Sequence, residues 1–329
     1  MSKLWNIGRP LPPLTGELPV LPGPDWVQAN PERISAHLER ALGRPAGGWF
    51  VIDASIRIAD KPLKYVIDGR ELVVWRSGDR IMAAPNECPH MGAALCDGWV
   101  EDGQIVCPWH GLGLGNEPFG AWRPYPARDD GVLCWVQLDV GEEPTPEPII
   151  AERPAEFFDG VMRMEAGCEP EDVIANRMDP WHGVHFHPYA FGRLELIELD
   201  EDSVTVRVAF RVLGPVVMEV DARFHSPEPR TIVMTIVEGS FKGSVVETHA
   251  TPIGPGRTAI IEASLFTSDA KRFKYALKGR NFARSHIIKR AETLWVDDGA
   301  YAERRYEIRT RNGSSAHEAG EHSAPRYRP

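Results

Sequence analysis

Residues 88–111 of this 329-residue chain are CPHMGAALCDGWVEDGQIVCPWHG. They contain two pairs of one cysteine and one histidine: Cys88 with His90 and, after sixteen intervening residues, Cys107 with His110. Thiolates and imidazoles at such short spacing are typical metal ligands, and zinc and an iron–sulfur cluster are the two candidates. The stretch therefore predicts a metal centre held between two loops.

The composition of the two pairs favours an iron–sulfur cluster. A structural zinc site would draw all four side chains onto one ion, and the C-x-H spacing of the first pair is tighter than the common zinc knuckle. In a Rieske [2Fe–2S] cluster, one iron takes two thiolates and the other takes two imidazoles, so each loop supplies one ligand to each iron. That arrangement accounts for a cysteine and a histidine in both loops.

The stretch resembles the Rieske motif, C-x-H followed by C-x₂-H-G. The resemblance extends back over residues 49–76, which look like the strands that precede the cluster in Rieske oxygenases. Cys96 has no counterpart beside the second loop, so the chain is more similar to oxygenases and ferredoxins than to the respiratory proteins, which have a disulfide there. The resemblance implies that the [2Fe–2S] ligands are Cys88, His90, Cys107 and His110.

Two positions depart from the family's usual pattern. Met91 stands where arginine is common, and Leu112 and Leu114 stand where an aromatic pair is common. Neither position is a ligand, so we expect them to affect hydrogen bonding, solvent access or docking at the cluster, and through these its reduction potential. The remaining cysteines are expected to be small buried hydrophobic residues.

The composition argues against several other classes of protein. Acidic residues number 47 against 37 basic ones, and the net charge of −10 disfavours nucleic-acid binding, which usually requires a basic surface. No apolar run approaches the ~20 residues that span a bilayer, and the N-terminus lacks the pattern of a secretory signal. The five cysteines, an odd number, argue against a disulfide framework. We therefore expect a cytoplasmic protein without a membrane span.

Turn residues and periodicity divide the chain into five segments. Repeated prolines between residues 9 and 31 predict an extended arm without helix, and residues 32–43 have helical periodicity that ends at Gly43. Later segments include short β-rich runs with a hairpin turn at residues 68–69. The segments are predicted to be a Pro-rich arm with a short helix, a β domain, a linker, a second domain and a disordered tail, over residues 1–48, 49–140, 141–154, 155–311 and 312–329.

The second domain combines helices with alternating strands. A helix is predicted near Pro170, which suits the first turn of a helix. Six alternating segments between residues 194 and 267 predict an antiparallel sheet, and residues 269–297 have the periodicity of a long amphipathic helix with a weak point at Gly279. The predicted fold class is α+β: an all-β Rieske domain followed by an antiparallel-sheet domain, which the resemblance implies to be a helix-grip (START-like) catalytic domain.

Residues 176–187, NRMDPWHGVHFH, contain one carboxylate and three histidines. Neutral imidazoles and a carboxylate suit a non-heme Fe(II) site, where two histidines and one carboxylate leave open positions for O₂ and substrate. Spacing of three residues would put Asp179 and His182 on one helix face, although Pro180 must kink the helix or start a new turn. Spacing alone also allows His182 to pair with His185.

The segment resembles the N/E-x-x-D-x-x-H-x₄-H motif of Rieske non-heme iron oxygenases. The resemblance implies that His182 and His187 bind iron and that His185 is the spare histidine. It also implies that Asp179 bridges to a cluster histidine of a neighbouring subunit and carries the electron path. Asn176 would then support the ligands without binding iron itself.

The resemblance places the third iron ligand in the closing helix. Family members have an aspartate there, in a context like E-D-x-x-x-x-E. The sequence TLWVDDGAYAERR offers two aspartates. Asp298 lies five residues before Glu303 and matches better, with Asp297 as the alternative.

Several strand residues are candidates for a substrate pocket. We expect His249 and the strand residues to line it, although strand alternation predicts an apolar core equally well. His225 and His286 have no support as ligands. The candidate strand residues are Phe210, Met218, Phe224, Met234 and Phe241.

The resemblance implies a terminal oxygenase component. Electrons from NAD(P)H would arrive through a separate reductase, with or without a ferredoxin, and O₂ would be activated beside a small apolar organic substrate. Hydroxylation, dihydroxylation, oxidative demethylation and desaturation all occur in the family, and the sequence does not choose between them. A chain of this length without a large insert resembles the homotrimeric monooxygenases and demethylases.

Two other functions compete with this interpretation. One is a Rieske ferredoxin-like electron carrier with an appended domain that binds apolar ligands, and the other is a lipid- or terpenoid-binding module. Neither function needs a second iron, so Asp179, His182, His187 and Asp298 argue against both.

Overall fold

The computed structural model describes residues 4–12, 25–213, 215–270, 273 and 279–319, and its N-terminal half is built from short strands. After an initial strand β1, Trp5–Asn6, the strands of this half form three-stranded sheets in the orders β2-β10-β9, β3-β4-β5 and β6-β7-β8. Their bounds are β2 Trp49–Ala54, β3 Leu63–Ile67, β4 Arg70–Ser77, β5 Arg80–Pro85, β6 Trp99–Glu101, β7 Gln104–Val106, β8 Gly113–Leu114, β9 Ala127–Asp129 and β10 Leu133–Gln137.

The predicted hairpin turn joins β3 to β4. Asp68 and Gly69 both have positive φ, 49° and 73°, and Ile67 pairs with Arg70 across the turn. Positive φ at both central residues defines the two-residue turn that matches strand twist, which is why Asp-Gly forms it.

One large sheet dominates the C-terminal half. Its strands are antiparallel in the order β11-β17-β16-β15-β14-β13-β12, and β1 pairs with β14 in parallel. The bounds are β11 Phe158–Ala166, β12 Phe191–Leu199, β13 Ser203–Leu213, β14 Val216–Glu228, β15 Thr231–Gly239, β16 Val245–Gly254 and β17 Arg257–Phe266. The predicted fold class, an all-β domain followed by an antiparallel-sheet domain with few helices, is confirmed.

Helices pack against this sheet. Trp295 and Ala302 of the last helix lie in one core with Ile174 and Ile260, which brings together the last helix, the third helix and β17. The described helices are α1 Asp25–Gln28, α2 Pro31–Leu42, α3 Pro170–Arg177, α4 His182–Phe186 and α5 Arg280–Ala319. None of the helices in the described ranges is long and apolar enough to cross a membrane.

The two halves share a hydrophobic core. Trp49 and Trp135 of the β domain pack with Ile261 and Ala263 of β17. A shared core of this kind holds the cluster-bearing domain against the large sheet.

The structure differs from the sequence prediction in the N-terminal arm. Residues 13–24 lie outside the described residues, but α1 is helical where no helix was expected, and its Gln28 accepts a hydrogen bond from Trp181 Nε1 at 3.1 Å. Gly43 follows α2 with φ of −78°, so this helix ends without the left-handed glycine cap. Residues 4–12 cross the large sheet, where Arg9 pairs with Asp269 at 2.9 Å.

The closing helix also differs from its prediction. Its described part begins at Arg280, most of residues 271–278 lie outside the described residues, and helix continues past residue 297 to Ala319. The tail predicted to be disordered from residue 312 is therefore helical as far as residue 319, and residues 320–329 lie outside the described part. The polar sequence after residue 311 has no helical periodicity, so a helix could not be predicted there. Adding residues to an existing helix is easier than starting a new one, and such an extension needs no apolar face.

Candidate metal centres

Cys88 and Cys107 each open a loop of the same shape. In each loop the glycine four residues on donates its backbone N–H to the cysteine carbonyl: Gly92 to Cys88 at 2.8 Å, and Gly111 to Cys107 at 3.0 Å. Both glycines have positive φ, 78° and 71°, a conformation that other residues rarely adopt. The repeated Cys-to-Gly spacing thus builds two matching turns.

The two loops bring the four predicted cluster residues together. Cys88 and Cys107 are buried, while the rings of His90 and His110 lie at the exposed tip with centroids 4.8 Å apart. Burial raises the pKa of the Cys88 thiol. Burial acts in the same direction on Cys107, but backbone N–H groups of Trp109 and His110 and the Cys88 thiol outweigh it and lower the Cys107 pKa. Two buried sulfurs beneath two exposed imidazoles fit the ligand set of a Rieske cluster.

Asp298 lies at the centre of a second cluster. Its Oδ1 accepts hydrogen bonds from His182 Nε2 at 3.0 Å, His187 Nε2 at 2.9 Å and Asn176 Nδ2 at 3.0 Å. Three elements meet here: Asn176 is on α3, the histidines are at the two ends of α4, and Asp298 is on α5. Ligand atoms of His182, His187 and Asp298 all lie within 4.8 Å of one another.

The electrostatics of this cluster favour a carboxylate. Asp298 is 2% exposed, and burial acts to raise its pKa. The hydrogen bonds from His182 and His187, with the charge of Arg177, outweigh burial and hold the pKa of Asp298 well below its usual range. Burial also opposes the charged form of His182, but Asp298 and Asp179 raise the pKa of that imidazole.

Asp297 and His185 lie outside this cluster. His187 Nδ1 faces the Tyr189 hydroxyl at 3.3 Å and Asp297 Oδ2 at 3.4 Å, and that hydroxyl donates to Asp297 Oδ2 at 2.8 Å. Asp297 thus lies behind His187. His185 is exposed and its Nε2 meets Asp25 Oδ2 of α1 at 2.7 Å.

Asp179 is buried beside the cluster, in the break between α3 and α4. Its backbone carbonyl contacts His182 Nδ1, and its Oδ2 accepts a hydrogen bond from Tyr301 at 3.5 Å. Burial raises the pKa of Asp179. Its Oδ1 is buried without a hydrogen-bond partner among the described residues. An unpaired buried carboxylate oxygen is costly, so it marks a position that another group can fill.

A cavity of about 420 Å³ extends from the cluster between the large sheet and α5. Its lining is largely aliphatic and aromatic, and His182, His187 and Asp298 form part of its wall. Five of the six predicted pocket residues line it: Phe210, Met218, Phe224, Met234 and Phe241.

His249 is the exception: of the two interpretations that strand alternation left open, pocket lining and buried core, the structure supports the buried core. His249 is buried on the face of the large sheet that points away from the cavity. There its Nδ1 meets Thr231 Oγ1 at 2.8 Å, and its ring packs edge-on against Trp135. Strand alternation could not decide which face of β16 meets the cavity.

Sequence reasoning missed four side chains near this cluster: Arg177, Tyr189, Glu262 and Tyr301. Tyr301 lies three residues after Asp298 on α5, so helical spacing around the predicted ligand could have found it. The other three reach the site only through tertiary packing.

The residues present fit both metal groups of the predicted class. Two imidazoles and a carboxylate on one side of a cavity match the facial donor set of a non-heme Fe(II) site, with room for exogenous ligands. Behind them, Asp297 and Tyr189 contact the far nitrogen of His187, as groups that orient metal-bound histidines commonly do. A [2Fe–2S] cluster and a mononuclear iron are the cofactors of this class.

Comparisons with known proteins agree with this architecture. Residues 48–130 match the family model described as "Rieske [2Fe-2S] domain". The chain is 29% identical over 183 residues to the vanillate O-demethylase oxygenase subunit of Pseudomonas sp. (strain HR199 / DSM 7063). The matched residues make up 50% of this chain and 50% of that protein. The chain is 27% identical over 211 residues to the 4beta-methylsterol monooxygenase of Methylococcus capsulatus (strain ATCC 33009 / NCIMB 11132 / Bath), covering 56% of each. The chain thus spans about half the length of these curated relatives.

Solved structures share the fold. Dicamba monooxygenase bound to dicamba superposes with a TM-score of 0.62 at 18% identity, covering 86% of this chain and 92% of that one. The terminal oxygenase of carbazole 1,9a-dioxygenase from Novosphingobium sp. KA1 gives a TM-score of 0.54 at 13% identity, covering 86% and 89%.

The chain thus combines a Rieske [2Fe-2S] domain with a large antiparallel sheet and a buried two-histidine, one-aspartate cluster. The chain belongs to the family described as "Domain of unknown function (DUF5914)", whose model matches residues 139–313, just over half of the chain.

Proposed function

We propose that this chain is the terminal oxygenase component of a multicomponent system and that it hydroxylates or oxidatively dealkylates a small, largely apolar substrate. The observation that carries the proposal is the position of His182, His187 and Asp298 in the wall of an apolar cavity. An electron carrier would need no such opening, because a carrier has no substrate to place beside a second metal.

The roles of the residues follow from their positions. Cys88, His90, Cys107 and His110 hold the [2Fe–2S] cluster, and His182, His187 and Asp298 hold the mononuclear iron. When bound, these cofactors supply single-electron transfer and O₂ activation.

The protein contributes geometry and exclusion of water. The apolar lining of the cavity desolvates the substrate beside the His182–His187–Asp298 cluster, and the charge of Arg177 helps to keep Asp298 ionised. Asn176 donates to Asp298 Oδ1 and fixes the carboxylate without taking an open position.

Asp179 bridges the two metal sites across a subunit boundary in this proposal. Its unpaired Oδ1 supports the role, because a histidine of a neighbouring subunit's cluster loop would satisfy it. We accordingly propose a homotrimer, which receives electrons from NAD(P)H through a reductase, directly or through a ferredoxin, in the cytoplasm. Light scattering of the purified protein tests the assembly, and a monomer at micromolar concentration would contradict it.

The function is tested by iron analysis and turnover of the purified full-length protein. We expect about three irons per chain, two in the cluster and one mononuclear. His182→Ala should abolish O₂-dependent product formation with a surrogate reductase, yet leave a reducible cluster. His185→Ala, on the exposed side of the same short helix, should keep both product formation and a reducible cluster.

The electron-carrier alternative makes the opposite forecast. Two irons per chain together with full Rieske absorbance would favour the carrier over the oxygenase, whereas turnover that survives His182→Ala would remove His182 from the proposed site.

A further inference from the structure

A charged pair lies in the wall of the largely apolar cavity, apart from the proposed iron ligands. Arg177, the last residue of α3, and Glu262, in the middle of β17, both line it, and Arg177 Nη2 lies 3.6 Å from Glu262 Oε2. Apart from Asp179 and the proposed iron ligands, the other charged or titratable lining residues are exposed (His286 and Arg290) or half-buried (Arg211), whereas Glu262 is only 6% exposed. Burying charge among aliphatic and aromatic side chains is costly, so the pair calls for a function.

Glu262 is held rigidly by one of its two oxygens. Oε2 accepts hydrogen bonds from Trp295 Nε1 at 2.7 Å and from Thr248 Oγ1 at 3.4 Å, and it also faces Arg177. Among the described residues, Oε1 makes none of these contacts. One carboxylate oxygen is therefore fixed by the protein, and the other is available as an acceptor.

Arg177 retains its hydrogen-bonding capacity. Within the described part of the chain, its guanidinium makes no hydrogen bond; it has the 3.6 Å ion pair and lies over the Trp295 ring, 5.7 Å from the centroid. A guanidinium offers five N–H donors, and a largely buried one without acceptors is unfavourable. An acceptor on a bound molecule would relieve this.

The pair lies close to the proposed iron-binding residues along α3 and along α5. Arg177 follows Asn176, which contacts Asp298, and Trp295 precedes Asp298 by three residues, so it lies about one helical turn away. A group bound at Arg177 and Glu262 would therefore place the adjoining carbons of a small molecule beside His182 and His187.

The geometry points to a neutral hydroxyl as the substrate group recognised by Arg177 and Glu262; we propose that the substrate is an apolar molecule carrying one alcohol or phenol. Because the pair has no net charge, the attraction of a carboxylate to Arg177 is offset by its repulsion from Glu262, and an ammonium meets the reverse, so neither gains from pairing with a charge. A hydroxyl can accept from the guanidinium and donate to Glu262 Oε1 at the same time. This inference rests on the proposed oxygenase function for the identity of the cavity as a substrate site.

Binding of matched probes tests the inference without turnover. The probes are 1-naphthol, naphthalene and 1-naphthoate, which share a ring system and differ in one substituent. We expect anaerobic titration of the iron-loaded protein to give 1-naphthol an affinity about tenfold or more above the other two, the size expected of a hydrogen bond to a charged group.

Variants assign that preference to the pair. Glu262→Gln and Arg177→Met should each reduce the preference for 1-naphthol over naphthalene to about threefold or less, and Arg177→Lys should retain part of it. Arg80→Met, at the start of β5 and outside the cavity lining, should leave the preference unchanged. Far-ultraviolet circular dichroism and iron content identify a variant that has misfolded, and wild type with the three probes tests the proposal independently of any variant.

Two results would overturn the hydroxyl proposal: equal binding of the three probes by wild type, or a preference unchanged in both pair variants. Its failure is separable from failure of the oxygenase. Three irons and turnover without a hydroxyl preference would leave the oxygenase in place. A hydroxyl preference in a protein that oxidises no hydroxylated compound would support the binding-site proposal and contradict the oxygenase proposal.

Discussion

Asp297 and Asp298 are neighbours in the chain, but their side chains have different surroundings. Asp298 is almost completely buried and accepts three hydrogen bonds at one oxygen, whereas the Asp297 side chain is 38% exposed and accepts from Tyr189. Successive helical residues point about 100° apart, so only one of two adjacent aspartates can reach the space between the two histidines. The structure thus separates a candidate ligand from a residue that contacts the back of a ligand.

The two aspartates predict different iron contents for matched variants. Asp298→Asn should lower the iron content from about three to about two per chain and keep the Rieske absorbance, because a neutral amide is a poor replacement for the carboxylate. Asp297→Asn should keep the third iron but weaken its retention by about 10- to 100-fold, as expected for a group that orients a ligand. Iron analysis during dialysis against a chelator measures both, and an identical loss in the two variants would contradict this assignment.

Substitution of Asp179 should separate iron binding from electron transfer. Asp179→Asn should leave about three irons per chain. It should slow oxidation of the reduced cluster in the presence of O₂ and substrate by at least about tenfold, because the carboxylate acceptor at the proposed bridge is lost. Stopped-flow absorbance of the cluster measures the rate. Asp25→Asn, which removes an exposed carboxylate near the same segment, is the control, and equal rates in both variants would exclude the bridge.

At the scale of elements, the hairpin of β6 and β7 positions the second cluster loop. Gly98 directly precedes β6, and a Cβ placed on it would lie 2.0 Å from the carbonyl oxygen of Val106, the residue before Cys107. Backbone cannot move aside as a flexible side chain can. Close approach at Gly98 therefore couples the hairpin to the cysteine loop.

Two glycine substitutions test this coupling. Gly98→Ala should destabilise the β domain by about 1–3 kcal/mol or more and reduce the yield of cluster, because the clash displaces Val106 and with it Cys107. At Gly115 an added Cβ meets its nearest atom, in the Gln104 side chain, at 3.5 Å, so Gly115→Ala should be tolerated. Cluster absorbance per protein and the thermal midpoint report the difference; equal values for both variants would remove the hairpin from this role.

Local patterns predicted the elements best where one residue type dictates a conformation. The Asp68–Gly69 hairpin follows from positive φ, and the α+β class follows from alternation. Helix ends were predicted less well. The extension of α5 to Ala319 and the short α1 depend on packing and on existing helix, which residue spacing does not report.

At the scale of the whole molecule, the candidate site combines residues separated by more than a hundred positions. Spacing within residues 176–187 could select histidines, but only the family motif favoured Asp298, and nothing local linked Arg177 to Glu262 on β17. Such contacts arise when α3, α5 and the sheet pack together. The same limit explains why strand alternation could not decide whether His249 lines the cavity.

A buried ionic network joins the two halves of the molecule. Arg153 lies between Asp130 of the β domain, at 3.0 Å, and Glu247 of β16, which it meets with two hydrogen bonds of 2.6 Å. Trp135 donates to Asp130 Oδ2 at 2.7 Å, and His249 Nε2 lies 3.3 Å from Glu247. The arginine therefore links the cluster-bearing domain, the linker and the large sheet through three charged groups.

Removing one partner of this network should weaken the whole molecule. Glu247→Gln would leave Arg153 with less compensating charge in a buried site, and we expect a loss of about 3–5 kcal/mol at pH 7. The variant should also change the pH dependence of stability. Burial opposes ionisation of Glu247, but Arg153 and His249 outweigh it and lower the pKa below the ordinary value of 4.5.

The sign of the pH effect follows from that lowered pKa. The contribution of Glu247 to stability is fully present above the unfolded-state pKa of about 4.5 and is lost as the pH falls through the folded-state pKa, because the unfolded chain binds the proton first. Thermal midpoints of the wild-type protein should therefore fall more steeply between about pH 5 and pH 3 than those of Glu247→Gln. Glu152→Gln, an exposed change on the same linker, should reproduce the wild-type curve. Parallel acid limbs for wild type and Glu247→Gln would show that the network does not join the two halves energetically, because a carboxylate whose proton binding is unchanged by folding contributes no pH-dependent stability.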